Sequence, residues 1–465
     1  MLGLNCQTGS PMTTLLVQHC HTLVTMDAER REIADGALLI RDNIIEQVGT
    51  TDELPQTADD VLNLRGRHVV LPGLVNTHHH FFQSLTRAIP AAQNCDLFNW
   101  LTSLYPLWAN LTSKGIYLST QMAAAELMLS GCTTASDHLY LYPNDCTLDD
   151  AIQAAKDIGL RFHASRGSMS VGQSKGGLPP DTLVEREADI LSDSLRLIEQ
   201  HHDASRHAMI RMTLAPCSPF SVSQDLMRES AAMARSHPQV RLHTHLAENQ
   251  SDVDYSLATF GLRPGDYAES VGWLGNDVWH AHCVQLSDDA IAKFGRTGTG
   301  VSHCPCSNMR LASGIAPIRK MLNHNVPVSL GVDGAASNDA TNLLHEARMA
   351  MLLARVGSCD ASVMSARDVL ELATLGGARV LGRDDIGALV PGHSADFIAI
   401  NCDRPSLSGV HDIVAALIFC QTDSVDYSFI NGKKVVDQGQ LTTVDLPKLV
   451  EQVNHYAQTT MNKPI

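Results

Sequence analysis

Leu71-Pro72-Gly73-Leu74-Val75-Asn76-Thr77-His78-His79-His80 decides how this chain is read. An apolar run breaks at Pro72-Gly73, resumes for a few residues, and delivers three histidines to the end of a strand. Residues i and i+2 of a strand share a face, so His78 and His80 can grip one cation while His79 points elsewhere. Neutral imidazole is the commonest metal ligand among side chains. A purification scar would sit at a terminus; a strand-like segment precedes this run.

Outward from that stretch, residues 71–385 hold eight strand-like runs: LPGLVNTHHH, GCTTASDH, RFHASRG, IRMTLAPCSP, RLHTHLAE, DVWHAHCV, TGVSHCPCSN and VPVSLGVDG. Stretches with helical periodicity, such as 120–130 and 180–200, lie between them. Eight alternating units predict an α/β fold of the (β/α)8, TIM-like barrel type, with chemistry at the C-terminal strand ends. An open doubly wound sheet would want a glycine-rich phosphate turn after its first strand; histidines stand there instead.

Both flanks read as short strands. At the start these are 13–26, a hairpin over 36–49 with Asp42-Asn43 as its turn, and 61–70; near the end they are 387–400 and 428–436. The expected organisation is a small β-sandwich built from both chain ends (1–70 plus 386–445), the barrel (71–385), and a C-terminal helix or tail (446–465).

The 465 residues are 44% hydrophobic and 18% charged, which suits a globular protein with a large core. A formal net charge of -16, with no Lys/Arg cluster, argues against nucleic acid as a partner. No apolar run approaches the ~20 residues of a membrane span. The twelve cysteines are irregularly spaced, with a C-x-C at Cys304 and Cys306 and no C-x-x-C, as in a reduced protein. Residues 1–11 lack a signal peptide's pattern and read as an upstream start or an expression remnant before Met12. A cytoplasmic location is expected.

The strand ends carry the chemistry. The first offers His78 and His80, the fifth His245 and Glu248, the sixth His282, the eighth Asp333. Three histidines and one carboxylate (His78, His80, His245, Asp333) can surround one divalent cation per chain. Zinc accepts that set, and iron(II) is compatible with it. The H-E-x-x-H pattern is absent, since His345-Glu346 has no partner histidine. So is the H-x-E with P-C-x-x-C signature of the small nucleotide deaminases.

With these motifs the chain resembles the amidohydrolase superfamily, in its branch of mononuclear-metal deaminases. PGLVNTHHH matches the H-x-H of that superfamily, and HLAE, AHC and GVDGAASND match its later motifs. Two-metal members carry a carboxylated lysine at the fourth strand. Here that strand, Ile210-Arg-Met-Thr-Leu-Ala-Pro-Cys-Ser218, has none, so the resemblance implies one metal. Within the branch, HHHFFQSLTRAIPAAQNCDLFNWLTSLYPLW, RFHASRGSMSVGQSKGGLPPD and TLAPCSPFSVS resemble the 8-oxoguanine deaminases, which convert 8-oxoguanine to uric acid and ammonia. Guanine deaminases are also similar, but typically place an arginine where Cys217 stands.

That resemblance implies a small purine-like substrate attacked, at the carbon bearing its amino group, by hydroxide that a metal generates near pH 7. Glu248 would shuttle protons, His282 would orient the water or stabilise the intermediate, and Asp333 would ligate the metal and share the relay. Gln83 can pair with a lactam edge, and Trp100 can stack on a flat base. His138, Arg166 and Cys217 are further candidates for substrate contact. The glycine-rich stretch 167–180 is the expected lid. Other rings (guanine, isocytosine, an s-triazine) and a non-catalytic scaffold are the competing readings. Barrels of this sort are often dimers, which leaves a homo-oligomer open.

Overall fold

The computed structural model describes residues 13–420 and 422–461; the expectation for residues 1–11 lies outside them. The strands run β1 (Thr14–Val24), β2 (Glu32–Arg41), β3 (Ile44–Thr50), β4 (Asp60–Asn63), β5 (His68–Pro72), β6 (Leu74–Asn76), β7 (Cys132–Leu139), β8 (Arg161–Ser168), β9 (Ile210–Pro216), β10 (Arg241–Leu246), β11 (Val278–His282), β12 (Gly300–His303), β13 (Val328–Leu330), β14 (Phe397–Asn401), β15 (Tyr427–Ile430), β16 (Lys433–Asp437) and β17 (Gln440–Leu441).

β6 to β13 form one eight-stranded sheet in sequence order, every neighbour parallel. The eight strand-like runs supply these eight strands. Residues just past the first strand bring it to the last: the Thr77 N–H donates to the Leu330 carbonyl at 3.1 Å. The Thr77 hydroxyl also meets those of Ser302 and Ser329 at 2.7 Å each. Each strand of β7 and β8 is buried along its whole length, as expected where helices cover one face and the barrel interior the other.

The remaining strands form a single mixed sheet of nine, in the order β17-β16-β15-β14-β5-β1-β2-β3 with β4 beside β1. Its hydrogen bonding is continuous, where two packed sheets had been expected. The β2–β3 hairpin turns at Asp42-Asn43, and the sheet folds back so that Ile44 bridges Ser394. Leu38, Ile40, Val70, Phe397 and Phe429 share its core.

The barrel begins two residues later than expected. Leu71 and Pro72 pair with Ile398 and Phe397 in the terminal sheet, and the chain crosses into the barrel at Gly73. A Cβ there would lie 2.1 Å from the Thr133 hydroxyl, so glycine is needed for that close approach. A buried pair fastens the two parts: the Arg161 guanidinium, at the start of β8, donates to both Asp396 oxygens at 2.8 and 2.9 Å. The tail expected over 446–465 begins as a helix, Leu446–Tyr456. Among the described residues no helix is long and apolar enough to cross a membrane.

Candidate metal centre and active site

β6, β10, β11 and β13 end on one face of the barrel and gather His78, His80, His245, His282 and Asp333 there. His79 turns away, buried edge-on against Phe81. What each Nδ1 touches fixes where the imidazole proton sits. His80 Nδ1–H donates to the His138 carbonyl at 2.7 Å, and His245 Nδ1–H to the Cys217 carbonyl at 2.6 Å. His282 Nδ1–H donates to Asn308 Oδ1 at 2.9 Å. A carbonyl oxygen only accepts, so these rings turn bare Nε2 atoms inward.

The bare atoms converge. His80 Nε2 lies 3.1 Å from His245 Nε2, and Asp333 Oδ1 lies 3.2 Å from Nε2 of both His78 and His80. Burial pushes the His245 imidazole down to about 3 and lowers His78 and His282 as well, so these rings are neutral. Facing lone pairs repel unless a cation lies among them. Asp333 Oδ2 is already occupied, accepting from Ser307 and Ser337 at 2.5 and 3.1 Å, which leaves Oδ1 for that cation. Three imidazole nitrogens and one carboxylate oxygen are a donor set zinc takes. The residues fit a divalent cation.

Two of these side chains depend on an unusual backbone. His282 (φ +69°) and Asp333 (φ +62°) are left-handed non-glycine residues at strand ends, a conformation costing of order 1–3 kcal/mol. In β11 it breaks the alternation: His280 packs on Phe294 and Trp273, while His282, two residues on, faces the centre.

Glu248 is buried, with Oε2 3.6 Å from His282 Nε2. Its Oε1 has no hydrogen-bond partner among the described residues. Burial, and then the charges of Asp252 and Asp333, push its carboxyl well above the usual range. Asp252, in helix Gln250–Phe260, accepts the Glu248 N–H at 2.8 Å and so fixes the turn that carries it.

A cavity opens over these groups, walled by Leu97, Trp100, Leu101, Tyr105, Tyr140, Phe220 and Leu311, with Gln83, Cys217 and Ser337 as further polar lining. Of the lining residues only His245 is not fully buried. Helix Leu97–Trp108 forms the cover. Asp96 caps it, and its buried stripe (Leu97, Trp100, Leu101, Leu104, Tyr105, Trp108) follows the 3.6-residue period. Trp100 Nε1–H donates to the Ala336 carbonyl at 3.1 Å, which sets the indole as a wall. Gln83 Oε1 accepts from the Ala336 N–H at 3.4 Å, while its Nε2 is buried without a partner among the described residues.

Three expectations change. Arg166 does not reach the cavity: its guanidinium donates to Glu185 and Asp193 at 2.8 Å and lies over the Tyr142 ring. Carboxylates 19 and 27 residues away neutralise it into a brace. His138 sits behind the ligands, stacked on His245, with Nε2–H donating to the Ala215 carbonyl at 2.8 Å; it does not line the cavity. The 167–180 stretch is no cover. Ser170 and Val171 donate to the Ser221 carbonyl, Ser174 to Asp181, and none of its residues lines the cavity.

Sequence reasoning missed Tyr105, Tyr140, Phe220, Leu311, Asn308 and the covering helix. The aromatic density of FNWLTSLYPLW was the available signal for the last.

The sequence model of the amidohydrolase family matches residues 69–435. The chain is 46% identical over 420 residues to an 8-oxoguanine deaminase of Pseudomonas aeruginosa, covering 90% of this chain and 93% of that one. It is 38% identical over 455 residues to the hydroxydechloroatrazine ethylaminohydrolase of Pseudomonas sp. (strain ADP), covering 93% of each. Among solved structures, the atrazine chlorohydrolase of Arthrobacter aurescens TC1 complexed with zinc superposes with a TM-score of 0.91 at 32% identity, over 95% of this chain and 100% of that one.

Proposed function

The chain belongs to the amidohydrolase family, its similarity to named deaminases supports a metal-dependent deaminase, and from this premise we propose that its substrate is 8-oxoguanine, hydrolysed to uric acid and ammonia. The observation that carries the reading is a pair of buried groups in one aromatic cavity that have no hydrogen-bond partner among the described residues. The Gln83 amide offers a donor and Glu248 Oε1 a proton-transfer site, beside the facing imidazoles. An enclosed slot walled by Trp100, Tyr140 and Phe220 suits a flat free base. The 46% relative acts, by its name, on that base.

His78, His80, His245 and Asp333 would hold a divalent cation, for which we propose zinc, with iron(II) compatible, and when bound it would supply Lewis acidity and make hydroxide available at neutral pH. The protein's groups then do the following. Glu248, as the carboxylate, takes one proton of the attacking water and gives it to the ring nitrogen beside the attacked carbon; it then takes the remaining hydroxyl proton of the adduct and gives it to the leaving amine, which departs as ammonia as the carbonyl forms. Burial raises its carboxyl above the usual range, which favours the protonated form between the two transfers. His282, with Nδ1–H fixed on Asn308, keeps Nε2 directed at the reacting centre. Gln83 Nε2 donates to a ring carbonyl, and Trp100 packs on the ring face. The neutral Cys217 thiol, which burial pushes up to about 12, leaves no cation where guanine deaminases place arginine, which counts against guanine as the preferred base.

The test is ammonia release by zinc-loaded protein from 8-oxoguanine, guanine, isocytosine and an s-triazine. A wide lead for 8-oxoguanine, with uric acid accumulating, is expected. Turnover of another ring with 8-oxoguanine inert would overturn the substrate assignment and keep the metal chemistry. The triazine arm has its own motive in the 38% relative, an ethylaminohydrolase of hydroxydechloroatrazine.

A further inference from the structure

Among the four imidazoles that face the metal centre, His78 is oriented differently. His80, His245 and His282 each give Nδ1–H to an amide or peptide oxygen. His78 Nδ1 instead meets Nε2 of another imidazole, His243, at 2.8 Å. His243 is fully buried in β10, and its Nδ1–H donates to the Trp279 carbonyl at 3.0 Å. With the single proton of the neutral ring spent there, His243 Nε2 is an acceptor. The proton between the rings therefore belongs to His78 Nδ1, and His78 Nε2 is bare toward Asp333.

Trp279 closes the circuit. Its indole stacks on His243 with centroids 4.5 Å apart and planes 16° from parallel. Its Nε1–H donates to the carbonyl of Thr77, the residue before His78, at 3.1 Å. One side chain of β11 thus holds both the backbone that carries His78 and the ring that sets its proton.

We propose that His243 is a positioning residue for the metal ligand His78, fixing its tautomer and ring orientation through the His78 Nδ1–H···Nε2 His243 hydrogen bond. This rests on the metal site of the proposed function and adds a residue outside the ligand set. Partners of this kind orient ligands and raise their basicity, and removing one weakens metal binding about 10- to 100-fold.

His243→Phe keeps a flat ring against Trp279 and removes the acceptor. His243→Gln restores an oxygen that can accept. The measurement is the Zn2+ dissociation constant by competition with a chromophoric chelator, with circular dichroism as the check on folding. His243→Phe should bind Zn2+ about 10- to 100-fold more weakly, and His243→Gln should recover most of that loss. Wild-type affinity in His243→Phe, or no recovery in His243→Gln, overturns the proposal. Should His243→Phe not fold, long-range 1H–15N spectra of the metal-free wild type decide. A proton on His78 Nδ1 with His243 Nε2 bare supports the assignment, and a proton on His243 Nε2 overturns it. These readouts follow metal and protons, not turnover. A protein that binds Zn2+ as described yet leaves 8-oxoguanine untouched would refute the proposed substrate and leave this inference standing.

Discussion

Gly334→Ala tests the cavity wall without touching a ligand. A Cβ at 334 would lie 1.8 Å from Gln83 Oε1, 2.3 Å from its Cδ and 2.9 Å from its Nε2. Carbon and its non-bonded neighbours sit about 3.5 Å apart at best contact. The Gln83 amide must therefore retreat by roughly 1.5 Å or more, and a misplacement of about 1 Å can lower turnover about 100-fold. A substrate carbonyl left buried without its donor loses about 1–3 kcal/mol, or about 5- to 150-fold in kcat/KM. Asp333 keeps both serine hydroxyls, so zinc content should not change. The assay is steady-state ammonia release with metal analysis of the same sample. Gln83→Ala should lose a similar factor. Unchanged kcat/KM in both variants would remove Gln83 from the substrate site.

Glu248→Gln should keep its zinc and lose about 100- to 10,000-fold in kcat, read by single-turnover kinetics beside metal analysis; unimpaired turnover would exclude it as the proton shuttle. Asp396→Ala leaves the Arg161 charge buried and unpaired. It should lower the unfolding free energy by about 3–5 kcal/mol in denaturant titration while kcat/KM of the folded protein stays put, since the pair lies at the far end of the barrel. Burial pushes His280 down to about 4, so the unfolded chain takes up a proton there before the folded one does. The stability this residue contributes is complete above about pH 6.5 and fades as pH falls toward 4. Relative to His280→Gln, metal-free wild type should lose about 1.4 kcal/mol between pH 7.5 and 5.5, and a pH-independent difference would contradict the burial of a neutral ring.

The barrel was legible because each of its strands is an apolar run with a polar end. The i, i+2 rule that paired His78 with His80 applies equally to His243 and His245 in H-T-H, and would have placed His243 inside the barrel. It fails at His280 and His282, where a left-handed residue ends the strand; strand periodicity carries no trace of that. Arg166 was misread because partners in Glu185 and Asp193 approach only when the following helix folds back. The cover was sought in glycine-rich 167–180, since glycine marks freedom of the backbone. The actual cover is an aromatic helix, recognisable by its stripe but not by mobility. The terminal strands make one sheet because β5 pairs with β1 on one side and, through Val69 and Ile400, with β14 on the other, a pairing across the whole barrel sequence that local pattern cannot contain.

The most direct measurement is a titration of metal-free protein with Zn2+, following ammonia and uric acid released from 8-oxoguanine. Both products should form in equal amounts, from no activity at the start to a plateau at one Zn2+ per chain. A metal-loaded protein that releases neither would contradict the central claim.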